Sequence, residues 1–388
     1  MTPRGTCPAC GGTYLKTLYH LAAIPVQSVV LVETRAEALA YPRGELTLTL
    51  CHACGFMFNA TFDSTLVDYS ATTEESQHFS GTFNRFAQDL VTEIAGRQQL
   101  SGRLALEVGC GKGDFLEELV RQTGARALGV DPGFIPARLT GGAHPGMSFR
   151  REYFDPAHIE ETPDLIICRH TLEHIAEVQA FMTDIMQVAG EQTRMMFETP
   201  DAARVLAEGA FWDIYHEHCS YFTQGSHARL FRSVGLDLQR SYLGYAGQYI
   251  IQYAVQGSGA PQSHERDLEH TLTLAEHFPK KVAERRAYWS DTVRSAHAKG
   301  RKVAIWGGGS KGVAFLTTLR VDQEVYRVID INQHKQGKYM PGSGHVVSAP
   351  ESLIADPPDL VIVMNPIYLA EITRDLGRLG LSPEIVAV

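Results

Sequence analysis

Four of the seven cysteines stand in two Cys-x-x-Cys pairs, Cys7/Cys10 and Cys51/Cys54, with forty residues between Cys10 and Cys51. Two residues between sulfurs let one tight turn aim both thiolates at one ion, and two such turns complete a tetrahedral zinc shell. Gly11 and Gly55 follow the second cysteine of each pair and supply the backbone freedom that such turns need. A shell closed by four sulfurs has no vacancy for a substrate, so the zinc expected here is structural. The alternative is two unrelated buried or redox pairs. Cys110, Cys168 and Cys219 lack partner spacing and read as core residues or site walls.

A second constellation begins at Leu104 with an apolar strand, Leu-Ala-Leu-Glu-Val, then a turn carrying Gly109, Gly111 and Gly113, then the start of an amphipathic helix. Glycines at these places let a backbone pass close to a ligand. The spacing nearly fits a dinucleotide turn. Glu107 argues otherwise, because an acid there repels a pyrophosphate but suits the cationic methionine end of S-adenosylmethionine. Asp131 ends the next strand, 24 residues after Glu107, where a carboxylate can take both ribose hydroxyls. Pro132, Phe154, Arg169 and His170 are counted with the cofactor pocket, since ligands collect beyond the carboxyl ends of strands in open α/β sheets. His174 stands on the same side.

The run from Phe211 to Phe222 packs Tyr215, His216, Glu217, His218 and Tyr221 into a short stretch. Such a cluster is costly to bury without purpose. His216 and His218 suggest a metal, but they lack the i, i+4 spacing of a helical metal motif. General-base chemistry suits better, because an imidazole is largely neutral near pH 7 and a neighbouring carboxylate can orient it.

A second strand and glycine turn follow in Lys302-Val-Ala-Ile-Trp and Gly307–Gly309, with Ser310 and Lys311 after the turn. Asp330 ends the next strand, and Lys335, Lys338 and Tyr339 come soon after. Helix N-terminal amides plus lysines make a diphosphate cradle for a substrate. The alternatives are a packing domain without a ligand, or a nicotinamide site in which Asp330 holds a ribose.

These residues need elements to hold them. The 388 residues fit two or three domains. Hydrophobic residues at 44% and charged residues at 20% are ordinary globular values. A net charge of −9 opposes binding driven by nucleic-acid or anionic-membrane electrostatics. No apolar run approaches the roughly 20 residues of a spanning helix, and the opening residues lack a signal-peptide core, so the expected compartment is the cytoplasm. Alternation in Glu45 to Cys51 predicts a strand into the second cysteine pair, and the polar stretch from Phe62 to Phe79, which carries Tyr69, reads as a solvated linker. Phe83, Phe86, Leu90, Val91 and Ile94 predict one face of a helix within Ser80 to Gly102. Strands are expected at Asp164 to Cys168 and Arg194 to Glu198, with a helix at Val178 to Val188 between them. A helical connector from Gln262 to Lys299 leads to a helix at Val313 to Leu319 and strands at Val325 to Asp330 and Asp359 to Met364, the last closing the fold. The fold class is α/β: a zinc ribbon at 1–78, a central doubly wound Rossmann-like domain at 79–256, and a helical connector with a second Rossmann-like, substrate-binding domain at 257–388.

The order of parts resembles the zinc-containing, S-adenosylmethionine-dependent sugar C-methyltransferases that act at C3 of nucleotide-linked 4-keto-6-deoxysugars. The four paired cysteines, the glycine turn, Tyr215 to His218 with Tyr221 and Phe222, and the late Gly-Gly-Gly-Ser-Lys-Gly with Lys335 to Gly342 carry it. The resemblance implies His218 as base, Tyr215 and Glu217 as neighbouring substrate-positioning residues, His174 as the histidine after the fourth strand, and Tyr69 as a tyrosine beyond the zinc segment. It also implies a nucleotide-linked sugar as partner. Readings that compete are an O- or N-methyltransferase with the same cofactor, a nicotinamide oxidoreductase using the late glycine turn, and a non-catalytic zinc-ribbon adaptor.

Overall fold

The computed structural model describes residues 3–69, 73–139 and 145–388; Ser70, Ala71 and Thr72 of the polar stretch lie outside the described residues. At the amino end, strands β1 (Leu15–Pro25), β2 (Arg43–Cys51) and β3 (Met57–Asn59) form an antiparallel sheet, with helix α1 (Arg35–Leu39) between β1 and β2 in the chain. The alternation in Glu45 to Cys51 is strand, as expected. β1 had no clear sequence signal, because its register against β2 shifts twice, between Thr17 and Tyr19 and between Leu21 and Ile24, which breaks the period of two. A distant two-residue strand, Ser220–Tyr221, adds to the free edge of β3 and completes four strands.

The central unit starts with α2 (Gly81–Arg97), capped by the Ser80 hydroxyl on the amides of Thr82 and Phe83. Then come β4 (Leu104–Val108), α3 (Asp114–Thr123), β5 (Arg126–Val130), β6 (Met147–Arg150), β7 (Leu165–Arg169), α4 (Val178–Val188) and β8 (Arg194–Pro200). After α5 (Ala202–Glu208) come β9, the Ser220–Tyr221 strand, then α6 (Gln224–Ser233), β10 (Leu236–Gly244) and β11 (Tyr249–Gln256). The sheet order is β10-β11-β8-β7-β4-β5-β6, with β4 to β8 parallel, β11 antiparallel to β8 and β10 antiparallel to β11. Strand order reverses at β4, which has β5 on one side and β7 on the other. Ligands bind at such a switch point.

Helix α7 (Leu268–Ala298) is 31 residues long, about 46 Å at 1.5 Å per residue, and realises the predicted connector. It leads into β12 (Val303–Trp306), α8 (Ser310–Leu319), β13 (Val325–Ile329), β14 (Val347–Ser348), β15 (Leu360–Val363), α9 (Leu369–Arg378) and β16 (Glu384–Ala387). The sheet β14-β13-β12-β15-β16 is parallel, with its own reversal between β12 and β15. The Asp359 to Met364 segment does not close the fold. β16 does, as a short edge strand paired to β15 that the charged and proline-marked lead-in Ser382-Pro383-Glu384 hid.

The cores tie the units together. Leu46, Leu48 and Leu50 of β2 pack in one cluster with Phe211 and Trp212, with Phe278 and Trp289 of α7, and with Phe315 of α8. Phe56 and Phe58 pack in another with Leu106, Phe197 and Phe231. Among the described residues, no helix is long and apolar enough to cross a membrane.

Candidate active site

A cavity of about 1040 Å³ opens where the carboxyl ends of the central and late parallel sheets face each other across the polar segment around Glu75 to Phe79. Glu107, Gly109, Gly111, Asp131, Pro132, Phe154, Arg169, His170, His174, Tyr69, Tyr215, Glu217, His218, Ser310, Lys311, Asp330 and Lys335 all contribute to its wall.

On the β4 side, Gly109 holds φ of +73°, and a Cβ there would meet Thr171 Oγ1 at 1.9 Å, so only glycine fits. Asp131 accepts from the Gly111 amide at 2.9 Å and the Gly133 amide at 2.7 Å, which fixes the carboxylate while leaving lone pairs for two hydroxyls. Glu107 is buried, and its Oε2 has no hydrogen-bond partner among the described residues. Burial lifts this carboxyl to about 8, against the pull of Arg169. An orphaned acid beside a glycine cradle fits a cationic, ribose-bearing ligand, which is what S-adenosylmethionine is. Arg169 pairs with Glu198 at 2.6 Å and lies over the Phe115 ring, so it braces the wall. His170 has φ of +49°, a strained value for a residue with a side chain. Its ring spans Glu198 at 2.9 Å and Glu173 at 3.4 Å. Burial opposes its charge, but the two glutamates outweigh that and lift the imidazole to about 9.

Deeper in, Tyr69 Oη lies 2.9 Å from His174 Nδ1, and His174 Nδ1 lies 3.1 Å from the Glu217 carbonyl. The His218 ring stands nearly perpendicular to His174, with centroids 4.7 Å apart, and to Tyr215 at 4.6 Å. Its nitrogens make no hydrogen bond among the described residues. Burial, then the neighbouring His174, keep His218 well below the usual imidazole value, so it stays neutral. Tyr215 donates to Asp213 at 3.0 Å. The Glu217 carboxylate accepts from the Ser28 amide at 2.7 Å and from its hydroxyl, and burial raises it to about 7. The loop that carries these residues ends in β9, and the Cys219 carbonyl accepts from the Asn59 amide at 3.0 Å. The amino-terminal sheet therefore sets the height of His218. His216 faces the other way, toward Phe62 and Gly44, so it shares no ligand sphere with His218.

On the β12 side, Asp330 accepts from the Gly308 amide at 2.9 Å and the Asn332 amide at 2.8 Å, the same construction as Asp131. Lys335 Nζ lies 4.0 Å from Asp330. Lys311 pairs with Asp213, which Arg204 also holds at 2.7 Å. Lys338 pairs with Glu33 at 2.6 Å, and the Tyr339 backbone bridges Val32 and Val346; neither lines the cavity.

The sulfurs of Cys7 and Cys54 are 3.7 Å apart and those of Cys10 and Cys51 3.6 Å. All four ligand atoms lie within 4.8 Å of one another. A zinc–sulfur tetrahedron with bonds of about 2.3 Å has edges of about 3.8 Å. The cluster fits that ion, and the two turns match: Gly11 N donates to Cys7 O and Gly55 N to Cys51 O, both at 2.8 Å.

Residues 78–241 match the methyltransferase domain family, and residues 260–380 match the C-methyltransferase C-terminal domain family. The C-methyltransferase NovU of Streptomyces niveus is 29% identical over 311 residues, covering 73% of this chain and 71% of that protein. The chain is an S-adenosylmethionine-dependent C-methyltransferase. A ubiquinone biosynthesis O-methyltransferase of Hahella chejuensis is 34% identical over 113 residues, 27% of this chain and 47% of that protein. A magnesium protoporphyrin IX methyltransferase structure from Synechocystis PCC 6803 aligns over 45% of this chain and 84% of that one, at 19% identity and a TM-score of 0.35.

Tyr249 and Asp213 of the cavity wall, and Glu74 just behind it, are not among the residues that sequence reasoning singles out. Glu74 is buried and accepts from Arg138 at 2.5 Å and from Asn332 at 2.9 Å, joining the segment after Tyr69 to both Rossmann-like units. The polar stretch there is a wall of the site, not a solvated linker. Tyr249 packs its ring edge-on to His170, 4.5 Å between centroids, and Asp213 joins Tyr215 to Lys311. Asp213 carried one usable signal, an acid inside the same aromatic run as Tyr215; Glu74 and Tyr249 carried none.

Proposed function

We propose that this enzyme deprotonates C3 of a nucleotide-diphosphate-linked 4-keto-6-deoxysugar and methylates the resulting enolate. The observation that carries the reading is the His218 imidazole: neutral, without a hydrogen-bond partner among the described residues, and in the same cavity as the glycine turn after β4. Glu107, Asp131 and the glycine turn would hold S-adenosylmethionine, which would supply a sulfonium methyl whose leaving group is a neutral thioether. The ketone at C4 acidifies the C3 proton; His218 takes that proton, and the C–H electron pair moves into the enolate. The Tyr69 hydroxyl faces the developing oxygen charge, where one positioned donor is worth about 100-fold or more, and His174, held by the Glu217 carbonyl, positions it. Carbon then attacks the methyl, and His218 returns its proton to solvent.

The amides at the start of α8, Ser310 and Lys335 offer the diphosphate a place in the same cavity. Cys7, Cys10, Cys51 and Cys54 would hold zinc, which supplies folding energy to the sheet that β9 joins and no bond-making. Thiolates that bind zinc need a reducing compartment, which fits the cytoplasm.

Incubation with a panel of nucleotide-linked keto-sugars and labelled methyl donor, read by mass spectrometry, tests the substrate class. Without methyl donor, His218 should wash solvent deuterium into C3, and His218→Ala should stop this while still binding S-adenosylmethionine. Methylation at oxygen or nitrogen, with no wash-in, would replace this reading.

A further inference from the structure

Glu173, His174 and His218 each offer one ligand atom, and the three atoms lie within 4.8 Å of one another. Glu173 Oε2 is buried and lacks a hydrogen-bond partner among the described residues, while its other oxygen faces His170. The His174 Nδ1 contact with the Glu217 carbonyl at 3.1 Å assigns the proton to Nδ1, because a carbonyl only accepts, and the Tyr69 oxygen at 2.9 Å then shares that proton while its own hydroxyl proton turns to the carbonyl at 3.4 Å. That leaves the Nε2 lone pair free. An outer hydrogen bond of this kind fixes the tautomer of metal-ligating histidines. Both His218 nitrogens are free of hydrogen bonds to the described residues. A tetrahedral ion with metal–nitrogen bonds of about 2.0 Å has ligand edges of about 3.3 Å, so modest side-chain rotation closes the set.

We propose that Glu173, His174 and His218 form a second metal site, separate from the four cysteines, which takes a divalent transition ion of the zinc class. Two imidazoles and one carboxylate favour such ions over magnesium or calcium, which prefer oxygen ligands. Three protein ligands leave a fourth position for water from the cavity. The ion occupies the lone pair that His218 uses as a base, so it inhibits; this consequence rests on the proposed function, whereas the site itself does not.

The test is a titration of the full-length, zinc-loaded protein with cobalt(II), with metal counted by elemental analysis and the visible spectrum recorded. One cobalt beyond the four-cysteine zinc should bind, with d–d bands and no thiolate charge-transfer band, and Glu173→Gln and His218→Asn should each lose it while keeping one zinc. Should Glu173→Gln fail to fold in a thermal scan, His218→Asn carries the same comparison. Failure of the wild type to bind the extra cobalt overturns the site, as does an extra cobalt that survives both substitutions. Filling the site with zinc should cut turnover by about 100-fold or more, reversed by a weak chelator. A second equivalent bound with turnover undiminished would leave the site standing and remove His218 as base.

Discussion

Lys311, from the first turn of α8, forms an ion pair with Asp213, just before the loop that carries His218. Asp213 also accepts the Tyr215 hydroxyl at 3.0 Å, so a lysine of the late Rossmann-like unit fixes a ring that packs on His218. Burial opposes the Asp213 charge, but Lys311 and then Arg204 hold the carboxyl well below its usual range. Lys311→Met should therefore lower kcat by about tenfold or more, the worth of a hydrogen bond to a charged group, with KM for the acceptor nearly unchanged. A lysine that grips the diphosphate would give the opposite split, a raised KM at constant kcat. Steady-state kinetics on the same acceptor decides.

Glu107 makes cofactor binding depend on pH. Its carboxyl is raised to about 8, so at pH 7 it is mostly protonated in the free enzyme, and a cationic ligand favours the ionised form. Binding then releases a proton. Relative to Glu107→Gln, the wild type should gain affinity for S-adenosylmethionine as pH rises from 6 to 8, by up to about tenfold per unit. The comparison cancels titration of the ligand's own amino group. Calorimetry in buffers of different ionisation enthalpy should show proton release for the wild type and less for the variant.

Much of the scaffold was legible because its signals are local. Val178–Val188 begins and ends where periodicity placed it, and Cys-x-x-Cys spacing and the glycine turns are short-range patterns. What was not legible depends on chain segments far apart. Glu74 meets Asn332 across 258 positions, and Ser28 meets Glu217 across 189, with neither pair marked by composition or spacing. Lys335 and Lys338 looked equivalent in the sequence, yet Lys335 turns toward Asp330 in the cavity and Lys338 toward Glu33 outside it.

The buried Glu198–His170 pair predicts a bounded stability optimum. Burial would raise Glu198, but Arg169 and His170 hold it at about 2, below its usual 4.5. Its contribution is complete above about 4.5 and is lost as pH falls through 2. His170, lifted from 6.5 to about 9, contributes fully below 6.5 and loses it as pH rises through 9. Both are complete between about 4.5 and 6.5. Glu198→Gln should cost about 3–5 kcal/mol in that window, since it strands the buried Arg169 and leaves His170 with Glu173 alone, and should flatten both flanks. Urea unfolding at pH 3, 5.5 and 8.5 measures it.

The four cysteines should act on turnover through β9. Met57 and Phe58 of β3 lie three and four residues beyond Cys54 and pair with Tyr221 and Ser220, only two to three residues beyond His218. Loss of the ion loosens the Cys51–Cys54 turn, then the edge that anchors the loop, while the glycine turn after β4 belongs to a different sheet. Cys51→Ser, or stripping by a strong chelator, should thus remove several kcal/mol from the amino-terminal sheet. Hydrogen exchange should rise across residues 215–222 and turnover should collapse, with S-adenosylmethionine still binding. Unchanged exchange in that loop, with the metal demonstrably gone, would mean that packing of Phe56 and Phe58 alone holds the edge in place.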